Sequence, residues 1–247
     1  MGIFKKLFRK SSTPVPQKIE KDKVPVYPMI KDARWKGTPY AMHYPFVQLG
    51  EALELAIVFA QDAGDKFEYL TKDDMLNEEI NKNFHNWQEN INHYPFEIEI
   101  AEDLRNRVIF ASGQDHSAEK ILSAAFLAEA CKVLNTDKLI ISIPRRRCLM
   151  ITSYHEDFLM LETFFHLHFI AYREEEYGNE VITEMVFVAD KDKVQYAAPL
   201  GFRINMYEKD GQRKLVYSTM DDLFDQNDQI NFQSIIEKNK IPIQLPG

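Results

Sequence analysis

Ser117-Ala-Glu-Lys120 sets a hydroxyl and an amine three residues apart, the Ser-x-x-Lys spacing in which a lysine can take the proton of a serine nucleophile. No Ser-Asp-Asn or Lys-Thr-Gly follows, and a serine at a helix start is already explained by capping. Arg145-Arg146-Arg147 places three permanent charges between the apolar runs Leu139–Ile143 and Cys148–Thr152. Guanidinium forks suit carboxylate or phosphate, so this run is the candidate anion- or partner-binding turn. Its bland alternative is a solvated turn that balances an acidic surface.

Metal chemistry finds less support. His166 and His168 are two residues apart on an expected helix, about 200° of rotation, so their rings diverge. Glu162 and His166 share a face but supply only two ligands. The nine glycines are scattered and form no phosphate loop, so neither a metal nor a cofactor is expected. Asp73-Asp74 reads as helix-start charge and Asp221-Asp222 as divergent neighbours, not as paired carboxylates.

Charge divides the chain. The formal net charge is −8, yet residues 1–24 carry seven Lys/Arg against Glu20 and Asp22, which leaves about −13 on the remainder. A body this acidic repels phosphate backbones, which disfavours nucleic acid. The first ten residues form a basic amphipathic tip: Ile3, Phe4, Leu7 and Phe8 on one side, with Lys5, Lys6, Arg9 and Lys10 around them. Such a tip suits a partner or a transient contact with an anionic membrane. Position 6 is Lys where a myristoylation signal wants Ser or Thr. No apolar run reaches the length of a membrane span, no secretory signal is evident, and Cys131 and Cys148 lie in apolar-patterned segments as small hydrophobes. The expected location is cytoplasmic.

The elements that must position these residues follow from periodicity. Leu53–Ala60 and Phe67–Leu70 read as strands. Asn77–Tyr94 reads as a helix with Ile80, Phe84, Trp87, Ile91 and Tyr94 on one face. Phe96–Ile100 and Arg107–Ala111 pattern as a hairpin, and Asp115 or Ser117 is the expected cap of a helix over Ala118–Leu134. Leu139–Ile143 and Cys148–Thr152 flank the arginines, and Asp157–Arg173 is a Phe- and Leu-rich helix. Met185–Ala189 with Val194–Ala197, and Arg203–Tyr207 with Lys214–Tyr217, are expected hairpins, the second turning at Asp210-Gly211. The fold class implied is α+β, a mostly antiparallel sheet covered by about three helices on one face. The expected organisation is a disordered basic leader over 1–24, an α+β domain over 25–217 and a C-terminal extension over 218–247.

Several of these pieces carry a resemblance. Leu49-Gly-Glu, the run Ala56-Ile-Val-Phe-Ala-Gln-Asp-Ala-Gly-Asp-Lys-Phe-Glu-Tyr-Leu-Thr-Lys-Asp-Asp74, His116-Ser-Ala-Glu-Lys-Ile-Leu122, Ile143-Pro-Arg-Arg-Arg-Cys-Leu149 and Val181-Ile-Thr-Glu-Met-Val-Phe187 are similar in order and spacing to YtpQ-like bacterial proteins, a domain of unknown function. The resemblance spans roughly residues 45–200. It implies a soluble bacterial cytoplasmic domain and assigns no activity, substrate or catalytic residue. In that family the stretch after the proline commonly reads arginine then aspartate, and here Arg147 stands at the aspartate position.

Without a complete catalytic set, the reading leans away from an enzyme. The expectation is a non-catalytic protein-binding module, with Arg145–Arg147 and the tip Ile3–Lys10 as contacts. The alternatives are a hydrolase or transferase on a small anionic substrate, using Ser117 and Lys120 or the arginine turn, and a peripheral membrane adaptor.

Overall fold

The computed structural model describes residues 24–64, 66–174, 179–209, 212–219 and 230–246. The amphipathic tip and the Asp210-Gly211 turn therefore lie outside the described residues. Four strands form the first sheet: β1 (Val26–Asp32), β2 (His43–Leu49), β3 (Ala52–Asp62) and β4 (Phe67–Tyr69). β3 is central, antiparallel to β1 along one edge and to β2 and then β4 along the other. Gly50 makes the tight β2–β3 turn possible, because its φ of 61° is one that a β-carbon resists. Alternation along β3 sorts the side chains. Leu55, Ile57 and Phe59 enter the main core, while Val58 and Ala60 pack with Met29 under Trp35 and Tyr69.

Helices α1 (Glu78–His85) and α2 (Trp87–His93) occupy the stretch expected to be one helix. Asn77 caps the first by accepting from the Glu79 and Ile80 amides, and the chain breaks at Asn86, where ψ is 8°. The apolar face survives the break, since Ile80, Phe84, Trp87 and Ile91 are all buried.

The second sheet joins β5 (Glu99–Ile100), β6 (Val108–Phe110), β7 (Lys138–Ser142), β8 (Met150–Ser153), β9 (Val186–Asp190), β10 (Lys193–Ala198) and β13 (Ile241–Pro242) in the order β13-β10-β9-β7-β8-β6-β5. Its ladders are antiparallel. β11 (Phe202–Lys209) and β12 (Gln212–Thr219) pair as a separate ribbon.

Helices are not gathered on one face of this sheet, which corrects the expected layering. Ile109, Ile141, Ile151 and Phe187 point into a core shared with the first sheet, α1, α2 and α3 (Ala124–Val133). Val108, Ile140, Met150 and Val188 point the other way, against α4 (Phe158–Arg173) and α5 (Phe232–Lys238). The physical reason is composition. Leu139-Ile-Ile and Leu149-Met-Ile are continuous apolar runs, so both faces of β7 and β8 must be covered. The α+β class stands, with the sheet sandwiched.

Residues 230–246 are woven into the same fold and are not an appendage. Phe232 and Ile236 are one helical turn apart and fully buried among Phe165, Phe202 and Leu200. Ile241 extends the second sheet, and Ile243 bridges to Val47 of the first. One short C-terminal segment thus ties the two sheets together.

Candidate anion-binding site

β7 and β8 pair as the antiparallel hairpin the sequence implies, and the arginine run is the link between them. That link is laced on both sides. The Arg146 amide donates to the Glu180 carbonyl (2.8 Å) and the Ile182 amide to the Pro144 carbonyl (2.9 Å). On the far side the Gly113 amide donates to the Arg147 carbonyl (2.9 Å) and the Ala111 amide to that of Leu149 (3.1 Å). Residues 111–113 and 180–182 therefore clamp the arginine run, and Arg147 adopts a left-handed φ of 63°.

The three arginines have separate fates. Arg145 is only 5% exposed, and its guanidinium is committed to the protein. Nε donates to the Ala171 carbonyl (2.7 Å), Nη2 to that of Tyr172 (2.8 Å) and Nη1 to that of Asn179 (2.7 Å). These are carbonyls at and beyond the C-terminus of α4, where helical acceptors run out of amides and a cation complements the dipole.

Arg146 and Arg147 are partly exposed and turn to one carboxylate, Asp115. Arg147 donates through Nη2 to Asp115 Oδ1, and Arg146 Nη2 reaches the same oxygen at 3.4 Å. The Arg146 guanidinium also lies 4.7 Å over the Phe67 ring, a cation–π placement. Its Nε is buried without a hydrogen-bond partner.

Behind this pair sits an unusual set of buried polar groups on the 112–120 segment. His116 is fully buried among Tyr27 (ring centroids 4.6 Å apart), Tyr94 (4.7 Å) and Phe67 (5.4 Å). Desolvation pushes its pKa down to about 4, with Arg146 and Lys120 working in the same direction against Asp115, so the ring is neutral. The ring lies near the Pro28 carbonyl, yet neither nitrogen completes a hydrogen bond of sound geometry.

Glu119 Oε1 accepts from the Ile30 amide of β1 (3.0 Å), which satisfies part of that strand's free edge. Its Oε2 is unpartnered. Burial raises the Glu119 pKa to about 7, with Arg146 and Lys31 pulling it down. Lys31, itself buried, pairs with Glu180 and lies 5.0 Å over the Trp35 ring.

Ser117 and Lys120 fall beside the arginines in the chain path but are bonded elsewhere. Ser117 Oγ donates to the Gln114 carbonyl (2.9 Å) and accepts from the Gln114 amide (3.1 Å). Lys120 Nζ donates to the carbonyls of Ile91 (2.9 Å) and Tyr94 and lies 4.5 Å over the Phe96 ring. Desolvation lowers its pKa to about 8. Ser117 does not cap a helix either. Residues Ala118–Leu122 form a 3-10 turn, and Ser123 is the side chain that caps α3 by accepting from the Phe126 amide (3.2 Å).

His166 is buried near the Ile204 backbone, and desolvation lowers its pKa. His168 is fully buried on α4, with Nδ1 bonded to Ser142 Oγ (2.7 Å) and Nε2 to the Glu184 carbonyl (2.9 Å). The second bond requires Nε2–H, so Nδ1 accepts from the serine hydroxyl. Burial lowers this pKa to about 4 as well. The pair is a sealed bridge between β7, α4 and the segment before β9, with both members inaccessible. Among the described residues no group of three or more His, Cys, Asp or Glu is placed to hold a metal ion, and no helix is long and apolar enough to cross a membrane.

Asp115 is the residue of this cluster that the sequence reading missed. It was assigned to capping, and nothing local marks it as the counter-ion of arginines 31 and 32 positions later. What the arrangement can do chemically is exchange an anion. Two guanidinium groups meet one carboxylate at a partly exposed position, where an incoming carboxylate or phosphate can compete with Asp115. In comparison with protein-family models, curated proteins and solved structures, nothing matches this chain.

Proposed function

We propose that this chain is a non-catalytic binding module that takes an acidic group of a protein partner on Arg146 and Arg147, with Asp115 as the internal anion of the free state. The observation that supports this reading is the shared Asp115 oxygen. Two cations converge on a single carboxylate at a partly exposed position. Arg145 drops out of the expected three-arginine contact, because its donors are held by three backbone carbonyls.

A short acidic segment fits better than a long polyanion, since the acidic body would repel the remainder of an extended phosphate chain. The basic leader belongs to the proposal as a second contact, to a partner or to an anionic membrane surface, on the strength of its composition alone. So do the cytoplasmic, bacterial setting and the kinship with YtpQ-like proteins.

The test is fluorescence anisotropy of a labelled Glu/Asp-rich hexapeptide and of its Gln/Asn counterpart, with the full-length chain and its R146S/R147S double variant. The acidic peptide alone is expected to bind, and the double variant to lose about tenfold or more in affinity, with its melting temperature little changed. Equal affinity of the double variant for the acidic peptide ends this reading.

A further inference from the structure

A cleft of about 440 Å³ lies where both hydrophobic cores reach the surface, at the seam between the first sheet and α4. Its floor takes Leu55, Ile182 and Ile241 from one core and Phe169, Leu200 and Phe202 from the other, all buried. A space of this size with an apolar floor and a few polar groups at the mouth has the form of a small-molecule pocket.

The mouth fixes which head group would suit. Two ion pairs face it: Asp32 with Arg34, bonded through Nε (2.9 Å) and Nη2 (2.5 Å), and Glu184 with Arg203 (2.7 Å). Both guanidinium groups thus already hold a carboxylate. Glu54 is the third carboxylate of the lining. It is exposed and near enough to Arg34 to favour that cation, but it forms no ion pair of its own among the described residues. The lining therefore carries one more carboxylate than guanidinium.

Tyr172 stands among these groups and feels both pairs. Its phenol is raised above its ordinary value, by burial first and by Glu184 next, so it stays neutral and offers an oxygen acceptor. The Tyr172 ring adds a face that attracts a cation, while the Phe169 ring already carries the Arg173 guanidinium at 5.6 Å.

We propose that this cleft binds a small organic amine, with its apolar body on the Leu200–Phe202 floor and its ammonium group at Glu54 and the Tyr172 oxygen. An anionic head would meet the excess carboxylate and would have to break an existing ion pair to reach a guanidinium. A neutral head would leave Glu54 as it is and gain only the apolar floor. The cleft shares no residue with the Arg146, Arg147 and Asp115 cluster, so it holds or fails independently of the function proposed above.

The experiment is isothermal titration of the full-length chain with three probes of one shape: phenethylamine, 2-phenylethanol and 3-phenylpropionate. Phenethylamine is expected to bind saturably at one site, with a dissociation constant between about 10 µM and 1 mM for a ligand of this size. The alcohol should be weaker by about tenfold, and the carboxylate should show no saturation. E54Q, at an exposed position that leaves the fold intact, should bring the amine down to the level of the alcohol. E54K should abolish amine binding. Equal binding of the three probes, amine binding unaffected by E54Q, or no saturable binding of the amine would each overturn the proposal.

Discussion

Replacing Arg145 by Met separates the structural arginine from its neighbours. Met keeps much of the stem's length and apolar character but deletes the donors to Ala171, Tyr172 and Asn179. The Ala171 carbonyl is within a buried residue, where losing its partner costs about 1–3 kcal/mol. The other two acceptors are partly buried and can recruit water, so each contributes about 0.5–1.5 kcal/mol. Loss of a cation at the end of α4 adds about 0.3–1 kcal/mol. Together R145M should destabilise the fold by roughly 2–7 kcal/mol, a large share of the ~5–15 kcal/mol typical of a folded domain. In a thermal melt followed by circular dichroism, that corresponds to a fall of roughly 4–28 °C for a protein of this size. R146S and R147S break partly exposed pairs, each of which contributes about 0–1 kcal/mol. They should each move the melt by only a few degrees. An R145M melt within about 2 °C of the parent, or losses as large for Arg146 or Arg147, would refute this division of roles.

Glu119 and Glu237 give pH dependences of opposite sign. The folded pKa of Glu119 is raised to about 7, so its contribution is fully present below the unfolded carboxylate value and is lost as pH rises through 7. Buried neutral His116 and His168, with pKa values near 4, tilt the whole curve the other way, so the Glu119 contribution is read against E119Q: the parent should lose urea stability relative to E119Q between about pH 5 and 8. E119Q, which keeps an oxygen for the Ile30 amide, should gain on the parent by on the order of 3 kcal/mol between pH 4 and pH 8. Parent and E119Q curves that stay parallel across this range would contradict the buried-acid account. Glu237 accepts from Tyr196 (2.7 Å), Tyr154 (2.9 Å) and Lys138 (3.2 Å), which together lower its pKa to about 2, the Tyr196 bond most. Its contribution is present above the unfolded value and is lost as pH falls towards 2. The parent's midpoint should drop more steeply than that of E237Q between about pH 4.5 and 2, and parallel curves would refute the role.

Much of the framework was legible because its signals are local. Asp157 caps α4 through the Met160 amide (2.9 Å), at the position its residue type marks. The β9–β10 hairpin and the β11–β12 ribbon follow from alternation flanking polar turns. Where local signals compete, tertiary structure decided. Asp115, Ser117 and Ser123 can all start a helix, and the one that does is Ser123, which is also anchored to Asn92 Oδ1 (2.8 Å). Phe96 and Ile98 alternate like a strand, yet β5 begins only at Glu99, because Phe96 leaves to meet the Phe126 ring edge-on at 4.8 Å. Residue type also misplaces charge. Lys31, Glu119, Lys120 and Arg145 belong to the classes least often buried, and each is buried here against partners that no sequence window contains. The arginine run was visible as a run, whereas its partition into one structural and two partly exposed cations depends on contacts 26 to 34 residues away.

The central claim is that Asp115 occupies the place of an external acidic group on Arg146 and Arg147. Asp115→Asn keeps the size of the side chain and removes the competing charge. The most direct measurement is the affinity of the labelled Glu/Asp-rich hexapeptide for D115N beside the parent chain, by anisotropy at low salt. The account expects D115N to bind several-fold more tightly, since at most about 1 kcal/mol of internal competition has been removed. Unchanged or weaker binding would contradict it, leaving the arginines and Asp115 as a closed structural cluster.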